Sequence, residues 1–266
     1  MNEVPLPETC CPGEQATVWI RLRCAAYLGP SLRLGEHSGS VPCFALGVDA
    51  PFTIRVAEAG ERRVRSALIA PRARHRLTAG QGRMLFAYLD PGSAWVARTR
   101  NRMAGRLGPA VRFGHDRELD LAERLRGTER PDPIRLLGLV EDAGDSRDDR
   151  IRTALEMIFA DPGARLSVAE VAHAVNLSSS RFQHLFTAHT GTSFRRYRLW
   201  TRMLRVAGSI GAGADLTTAA TDAGFASPGH FSDSFRVMFG LSASRLLTPT
   251  TRVLATEPVA PLSTTA

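Results

Sequence analysis

One pattern of apolar and small residues occurs twice in the C-terminal half of the chain. Each copy has an apolar residue, a small residue four positions later, a turn residue with an apolar neighbour, two phenylalanines four apart, and a final glycine. The copies are Val168, Ala172, Asn176, Leu177, Phe182, Phe186 and Gly191, and Leu216, Ala220, Gly224, Phe225, Phe231, Phe235 and Gly240. Residues four apart share one helix face, and Asn or Gly tolerates the left-handed backbone of a tight helix end. Each copy therefore predicts a helix-turn-helix motif, at residues 168–189 and 216–239.

Helix-start signals lie at the expected places in both copies. Ser167 and Glu170 have the spacing of a capping box, and Ser227 followed by Pro228 is typical of a helix N-terminus. A single copy would also be compatible with an ordinary helical hairpin. Two copies in tandem, with matching turn residues, favour two helix-turn-helix motifs in one helical domain.

The N-terminal part has the pattern of short strands. Apolar and β-branched runs are separated by Gly, Pro, Asp and Ser, and they lie at 17–24, 41–48, 52–56, 66–69 and 84–89. Many short strands at close spacing predict a small barrel or a double-sheet roll.

These patterns divide the chain into five segments. We expect a leader at 1–14, a strand-rich domain at 15–100, a helical linker region at 101–148, a helical domain at 149–248 and a disordered tail at 249–266. The linker region contains a helix candidate at 116–127 and an acidic stretch at 141–149. The tail has no periodic pattern, which is why we expect no structure in it.

Residues 168–247 resemble the DNA-binding domain of AraC/XylS-type transcription regulators. The residues that carry the resemblance are Leu177, Ser178, Phe182, Leu185, Phe186, Gly191, Ser193, Phe194, Tyr197, Arg202, Ala207, Ala220, Gly224, Phe225, Ser227, Phe231, Phe235, Phe239 and Gly240. A strand domain before such a region also resembles regulators with an N-terminal cupin-like sensing barrel, although no firm motif supports that part. The resemblance implies an α+β protein of two domains: an N-terminal cupin-like β-barrel and a C-terminal all-α domain with two tandem helix-turn-helix motifs.

The second helix of the first motif is expected to read bases in the DNA major groove. Its outward positions are Ser180, Gln183 and His184. Gln can pair with adenine through two hydrogen bonds, and His can donate to a guanine acceptor. In related regulators these positions read bases, and His184 stands where Arg is common, which would soften a preference for guanine. A merely solvated helix face is the alternative.

The second motif offers a poorer set of outward side chains. The resemblance implies base contacts from Pro228, Gly229, His230 and Asp233. Gly229 has no side chain, Pro228 has no donor, and Asp233 carries a negative charge near the DNA phosphates. We therefore expect the first motif to dominate specificity.

An arginine cluster joins the two motifs. Residues 195–205 contain five Arg and no acidic residue. The sequence predicts contacts with the DNA backbone from Arg181, Arg195, Arg196, Arg198 and Arg236. A solvated charge run is the alternative, and Arg202 stands where the family has an Arg within the domain. Helices that enter successive major-groove faces would lie about 34 Å apart.

Composition changes this picture little. All 34 basic residues are Arg, and the formal net charge of +8 is spread over the chain, so it favours a nucleic-acid partner only weakly. There is no signal-peptide pattern and no run of roughly 18 apolar residues. We therefore expect a cytoplasmic protein with no membrane partner and with reduced cysteines. A redox-sensing pair at Cys10 and Cys11 is the alternative; the other cysteines are Cys24 and Cys43.

The chain offers few residues for catalysis or for a metal ion. Nucleotide-binding and hydrolase motifs are missing from the sequence. The strand-rich region has two histidines, His37 and His75, with Glu36 beside the first, too few for the usual cupin metal site. We expect no metal, no cofactor and no enzymatic activity. A cupin-type metal enzyme with a helical appendage is the alternative, and an alkyl-transfer repair protein is a third whose cysteine spacing is not matched.

The sequence as a whole predicts a sequence-specific DNA-binding transcription regulator. Its expected partner is double-stranded DNA at a promoter or operator. The N-terminal domain would sense a small-molecule effector or mediate formation of a homodimer, and RNA polymerase is a further partner if the protein is an activator. An effector can control DNA binding only if it prefers one state of the protein.

Overall fold

The N-terminal part of the protein consists of short strands and three helices. A computed structural model describes residues 15–21, 23–139, 148–163 and 166–255. The strands are β1 (Thr17–Arg21), β2 (Cys24–Pro30), β3 (Cys43–Gly47), β4 (Phe52–Val56), β5 (Gly60–Val64), β6 (Ser66–Ile69), β7 (His75–Thr78), β8 (Arg83–Tyr88), β9 (Met103–Leu107) and β10 (Val111–His115). The helices are α1 (Ala94–Asn101), α2 (Glu118–Gly127) and α3 (Pro133–Leu136).

These strands form two sheets. Among the described residues the larger sheet has the order β11-β1-β2-β8-β3-β6-β10-β9, in which β11 is Arg252–Ala255 from the end of the chain. The smaller sheet has the order β5-β4-β7. Neighbouring strands are antiparallel, except that β11 runs parallel to β1. The expected multi-strand N-terminal domain is confirmed.

Apolar cores cover both faces of the larger sheet. Successive side chains of a strand point to opposite sides, so one strand contributes to both cores. Phe44 and Leu46 of β3 belong to an apolar core that includes residues of α1, α2 and α3. Cys43 and Ala45, one position away, belong to the core shared with the smaller sheet and the C-terminal helices. Phe44 is fully buried, and its ring meets the edge of Trp95 in α1 at 5.5 Å between centroids.

The C-terminal part is helical, as predicted. Its helices are α4 (Asp149–Ala160), α5 (Val168–Ala174), α6 (Ser179–Thr190), α7 (Phe194–Gly211), α8 (Leu216–Asp222), α9 (Pro228–Phe239) and α10 (Ala243–Leu246). The pairs α5–α6 and α8–α9 are the two tandem helix-turn-helix motifs, and the long helix α7 connects them.

Local chemistry explains where the helices of both motifs begin and end. Ser167 and Glu170 form a reciprocal capping box at the start of α5. The turn residues Asn176 and Gly224 have φ of +54° and +81°, the left-handed region that these residue types tolerate best. Gly240, at the end of α9, has the same left-handed conformation, which stops the helix.

Two segment predictions are wrong. Residues 103–115 form β9 and β10 of the larger sheet rather than part of a helical linker, because Val111 pairs with Ile69 of β6. Residues 252–255 form β11 rather than disordered tail, because every one of them pairs with β1. Helix α2 does lie inside the helix candidate at 116–127.

Some predictions fall outside the described ranges. These are the leader at 1–14 with Cys10 and Cys11, most of the acidic stretch at 141–149, and the tail beyond residue 255. Within the described ranges, none of the helices combines the length and the apolar character needed to cross a bilayer.

Candidate nucleic-acid interface

Helix α6 presents a polar face to solvent and an aromatic face to the core. Phe182 and Phe186 are fully buried, with ring centroids 5.6 Å apart. Ser180, Gln183 and His184 are all exposed. The Gln183 amide nitrogen donates to the Ser179 carbonyl at 3.3 Å, which restrains this side chain. The three predicted base-reading side chains thus share one accessible surface of one helix.

Helix α9 repeats this arrangement with different outward chemistry. Phe231, Phe235 and Met238 are buried on its inner face. The exposed positions are Pro228, Gly229, His230, Asp233 and Arg236. These five are the residues predicted for DNA contact in the second motif, and α9 brings them together. The exposed surface holds one acid and one arginine, so α9 carries less positive character than a DNA-facing helix usually has.

His230 contacts two residues that precede α9. Its Nδ1 accepts a hydrogen bond from the backbone nitrogen of Ala226 at 3.4 Å. Its ring also meets the edge of Phe225 at 5.5 Å. Because Nδ1 accepts a hydrogen bond, the neutral ring carries its proton on Nε2. Nε2 is therefore the ring atom that can donate a hydrogen bond to another group.

The arginines of α7 do not form a single exposed cluster. Arg195 is exposed, as is Arg181 of α6. Arg198 donates to the Leu166 carbonyl at 2.5 Å, and Arg202 donates to the Pro162 carbonyl at 3.2 Å. Arg205 pairs with Asp161 at 3.2 Å. Three of the five arginines in residues 195–205 therefore hold α7 to the segments around α4 and α5, and of these only Arg198 was predicted to contact the DNA backbone.

Arg196 is a correction to the sequence prediction, since it faces the N-terminal domain rather than solvent. Its guanidinium donates to the Ser38 carbonyl at 2.5 Å and to the Ser38 hydroxyl at 2.9 Å. Burial, with the nearby Arg72 as a second cause, lowers the pKa of Arg196. In this arrangement Arg196 is not available to a DNA phosphate.

The end of α9 docks on the same N-terminal segment. The backbone nitrogen of Ser38 donates to the Val237 carbonyl at 3.1 Å, and that of Gly35 donates to the Gly240 carbonyl at 2.8 Å. A Cβ at Gly240 would lie 2.7 Å from both the Gly35 oxygen and His37 Nδ1. Glycine is therefore required at this point for close approach as well as for its left-handed backbone.

Two buried histidines support the docking segment. His37 and His75 form an isolated antiparallel bridge, and their ring centroids are 4.3 Å apart. Nδ1 of His37 lies 2.9 Å from the Gly35 carbonyl, and Nδ1 of His75 lies 2.9 Å from the Ala73 carbonyl. Because a carbonyl can only accept, both Nδ1 atoms carry protons. Burial lowers the pKa of both rings, and that of His75 falls to about 4.

A second connection between the domains involves the middle of α7. The Tyr197 hydroxyl donates to the buried carboxylate of Asp90 at 3.0 Å. The Tyr88 ring packs against Trp200 of α7 at 5.8 Å and edge-on against Phe239 of α9 at 5.3 Å. One continuous apolar core therefore includes both the sheets and the C-terminal helices.

A small apolar cavity of about 80 Å³ lies at this junction. Tyr27 and Phe86 line it from the larger sheet, and Trp200, Phe235 and Phe239 line it from the helices. Trp200 is almost fully buried, and its indole nitrogen has no hydrogen-bond partner among the described residues. An unsatisfied buried donor is unfavourable for folding.

The residues that join the domains were not identified from the sequence. Tyr197 lies 107 residues from Asp90 along the chain, and Arg196 lies 158 residues from Ser38. Tyr197 did contribute to the family resemblance, but nothing in the local pattern indicates its partner. The buried serines and the carboxylate could have been found only from their contacts in the folded protein.

The described residues contain no group of three or more His, Cys, Asp or Glu side chains arranged to hold a metal ion. Cys43 is buried, and burial raises the pKa of its thiol to about 12, so it carries no thiolate at neutral pH. Burial, as the largest cause, raises the pKa of Cys24 to about 12 as well.

The helical part of the chain matches a known family model. Residues 171–248 match the family model described as a helix-turn-helix domain. No curated protein matches the chain. Apo ToxT from Vibrio cholerae, as a point variant, is 10% identical, with 85% of this chain and 97% of that chain covered and a TM-score of 0.57.

Two further structures of ToxT from Vibrio cholerae are similar to the chain. One is 12% identical, covers 88% of this chain and 96% of its own, and has a TM-score of 0.53. The other, bound to an unsaturated fatty acid, is 11% identical, covers 86% and 92%, and has a TM-score of 0.50. At such identities the likeness concerns the fold, an N-terminal sheet domain followed by helix-turn-helix motifs. With the family model over residues 171–248, it supports a DNA-binding transcription regulator whose C-terminal part is a helix-turn-helix domain.

Proposed function

We propose that this protein binds operator DNA sequence-specifically through the outward faces of α6 and α9, and that its N-terminal domain controls this binding. The proposal rests on a difference in exposure between the two faces of the helical domain. Ser180, Gln183 and His184 are exposed on one side, while Arg196 and the end of α9 are bonded to the N-terminal domain on the other.

Base reading is assigned to the residues at the accessible N-terminal halves of the two helices. Ser180, Gln183 and His184 read one half of the site, and His230 and Asp233 read the other, with Pro228 and Gly229 allowing close approach. Arg181, Arg195 and Arg236 are exposed and supply the contacts with phosphates. Arg198 and Arg196 are assigned to packing, because their guanidinium groups are bonded to protein carbonyls.

The N-terminal domain can control DNA binding only if the protein has two states and the contacts between the two domains exist in one of them. The contacts at Ser38, Asp90 and Gly240 join α7 and α9 to the sheets, so the two reading helices are held at one relative orientation. DNA favours whichever orientation places both helices in the major groove. A ligand that binds one arrangement better shifts the population toward it.

The apolar cavity at the domain junction is the proposed site of the effector. Its volume of about 80 Å³ is well below the roughly 300–1,000 Å³ of a ligand pocket, so an effector must enlarge it. Since its walls belong to both domains, enlargement moves α7 and α9 relative to the sheet. An apolar molecule with one acceptor for Trp200 is the matching chemistry, and one ToxT structure contains an unsaturated fatty acid.

The effector proposal is tested by filling the cavity. Ala207 lines it, and Ala207→Leu should remove the response of DNA affinity to an unsaturated fatty acid. Ala104→Leu, on an exposed residue of β9, is the matched control and should keep the response. If the wild type shows no response to any apolar carboxylate, or if both variants respond equally, the cavity is not the effector site.

Further parts of the proposal follow from the family. Operation on DNA places the protein in the cytoplasm, with RNA polymerase as a partner if it activates transcription. Formation of a homodimer would use the N-terminal domain. The metal-enzyme alternative has no support from a metal-holding cluster of His, Cys, Asp or Glu among the described residues.

A further inference from the structure

A groove of about 640 Å³ lies on the face of the larger sheet that α1, α2 and α3 cover. This is the opposite face from the core that includes α7 and the reading helices. The volume falls within the roughly 300–1,000 Å³ range of small-molecule sites. The groove is therefore separate from both the DNA-reading surface and the apolar cavity at the domain junction.

The floor of the groove is buried and largely apolar. Trp95 from α1, Leu121 from α2 and Leu137 after α3 line it. All three are buried, and the Trp95 indole donates to the Leu137 carbonyl at 2.7 Å. That bond fixes the aromatic ring and ties α1 to the end of α3. A rigid aromatic floor of this kind suits the apolar part of a small molecule.

The rim of the groove is basic. Arg98, Arg102, Arg117 and Arg124 line it, all four are exposed, and none of the described lining residues is acidic. Four guanidinium groups around one concave surface attract oxyanions, because each can offer two parallel N–H donors to a phosphate or carboxylate.

Two of these arginines have carboxylate partners just outside the groove. Arg102 is paired with Asp116 at 2.8 Å, and Arg117 is paired with Asp120 at 2.6 Å. All four groups are about half exposed, and exposed ion pairs contribute little free energy. A ligand anion can therefore share or replace these carboxylates at small cost.

We propose that this groove binds a small organic oxyanion, with its apolar body on Trp95 and Leu121 and its phosphate or paired carboxylates among the rim arginines. A small ligand is favoured over a nucleic-acid backbone because the groove is a single concave site of about 640 Å³ and not an extended basic track. The site lies on α1, α2 and the segment after α3, which lead towards the helical domain along the chain.

The test is titration calorimetry of the full chain with phenyl phosphate, phthalate, inorganic phosphate and phenol at equal ionic strength. One of the two aromatic anions should bind at one site per chain, and about tenfold more tightly than inorganic phosphate. Phenol should give no saturable heat. Phenyl phosphate and phthalate distinguish a phosphate from paired carboxylates as the anionic group.

Variants locate the site. Arg124→Ala should weaken binding of the aromatic anion about tenfold, as expected for loss of a charge-assisted hydrogen bond. Arg76→Ala, on the exposed side of β7, and Arg195→Ala, on the DNA-facing surface, should leave it unchanged. Absence of saturable binding by either aromatic anion overturns the proposal. So does an equal loss in either control, or a loss of DNA affinity rather than of anion binding in Arg124→Ala.

Discussion

The guanidinium of Arg196 in α7 donates to both the carbonyl and the hydroxyl oxygen of Ser38, at 2.5 and 2.9 Å. This contact ties the first turn of the helix between the two motifs to a loop of the sheet domain. The neighbouring Arg195 is exposed. Two adjacent arginines of one acid-free cluster therefore differ: Arg196 holds the domains together, and Arg195 lies on the exposed surface that we propose contacts DNA.

This difference leads to a direct prediction for DNA binding. Arg195→Ala should weaken binding to all duplexes alike and reduce the salt dependence by about one phosphate contact. Arg196→Ala should leave the salt dependence unchanged but lower the thermal stability, because it removes partly buried hydrogen bonds to Ser38. Titrations of duplex DNA at several salt concentrations, with thermal unfolding of both variants, measure the two effects. If Arg196→Ala reduced the salt dependence and Arg195→Ala did not, Arg196 would be the residue that contacts DNA.

Gly240 supplies a second test of the domain contact. Gly240→Ala places a Cβ 2.7 Å from the Gly35 oxygen and adds a side chain to a backbone with φ of +78°. Gly213→Ala is the matched control, since its φ is +96° and a Cβ there meets no atom within 4 Å. The control should cost about 1 kcal/mol of unfolding free energy, and Gly240→Ala at least twice that. Equal losses in chemical denaturation would show that the docking contact adds nothing.

The buried histidines His37 and His75, which lie beside the domain contact, predict how the stability of the protein depends on pH. The pKa of His75 falls from 6.5 to about 4 in the folded protein, and burial is the main cause, with His37 second. Between these values the unfolded chain binds a proton that the folded chain does not. Stability therefore rises with pH across this window, is fully present above about 6.5, and is lost as the pH falls towards 4.

The measurement is the free energy of unfolding at several pH values. The wild-type slope should exceed that of His75→Asn by about 1.4 kcal/mol per pH unit within this window. Asparagine keeps a donor near the position of Nδ1, so the variant should still fold. His184→Asn, on the exposed face of α6, is the control and should keep the wild-type slope. Identical slopes in wild type and His75→Asn would mean that the pair does not carry the pH dependence.

The repeated helical pattern could be read from the sequence because it depends on nearby residues. Phe182 and Phe186 are four apart, and Asn176 and Gly224 terminate helices through their own backbone preferences. The face of α6 could be predicted for the same reason. Strands β9 and β11 could not be predicted in this way. Short segments with charged or glycine residues form strands only where they can pair with a strand of an existing sheet. The role of Arg196 was missed because it depends on Ser38, a residue from the other domain.

A substitution at Asp233 tests whether the two motifs contribute unequally to DNA specificity. This carboxylate is exposed on α9 and opposes the field of the DNA phosphates unless it accepts a hydrogen bond from cytosine. Asp233→Arg should tighten binding to all duplexes, and more so at low salt. Glu61→Arg on β5 makes the same charge change far along the chain and should have a smaller effect. Weaker binding confined to sites with one particular cytosine would show that Asp233 reads a base.

We propose that α6 and α9 read a DNA sequence and that α6 contributes most of the specificity. Selection of bound sites from random duplex DNA by wild type and by Gln183→Ala tests this proposal. The selected sites should have two parts, with strong base preferences in one half and weak ones in the other. Gln183→Ala should lose preference at one or two positions of the strong half, at about 1–3 kcal/mol each, and keep the rest. Absence of an enriched sequence, or an unchanged strong half in the variant, would contradict the claim.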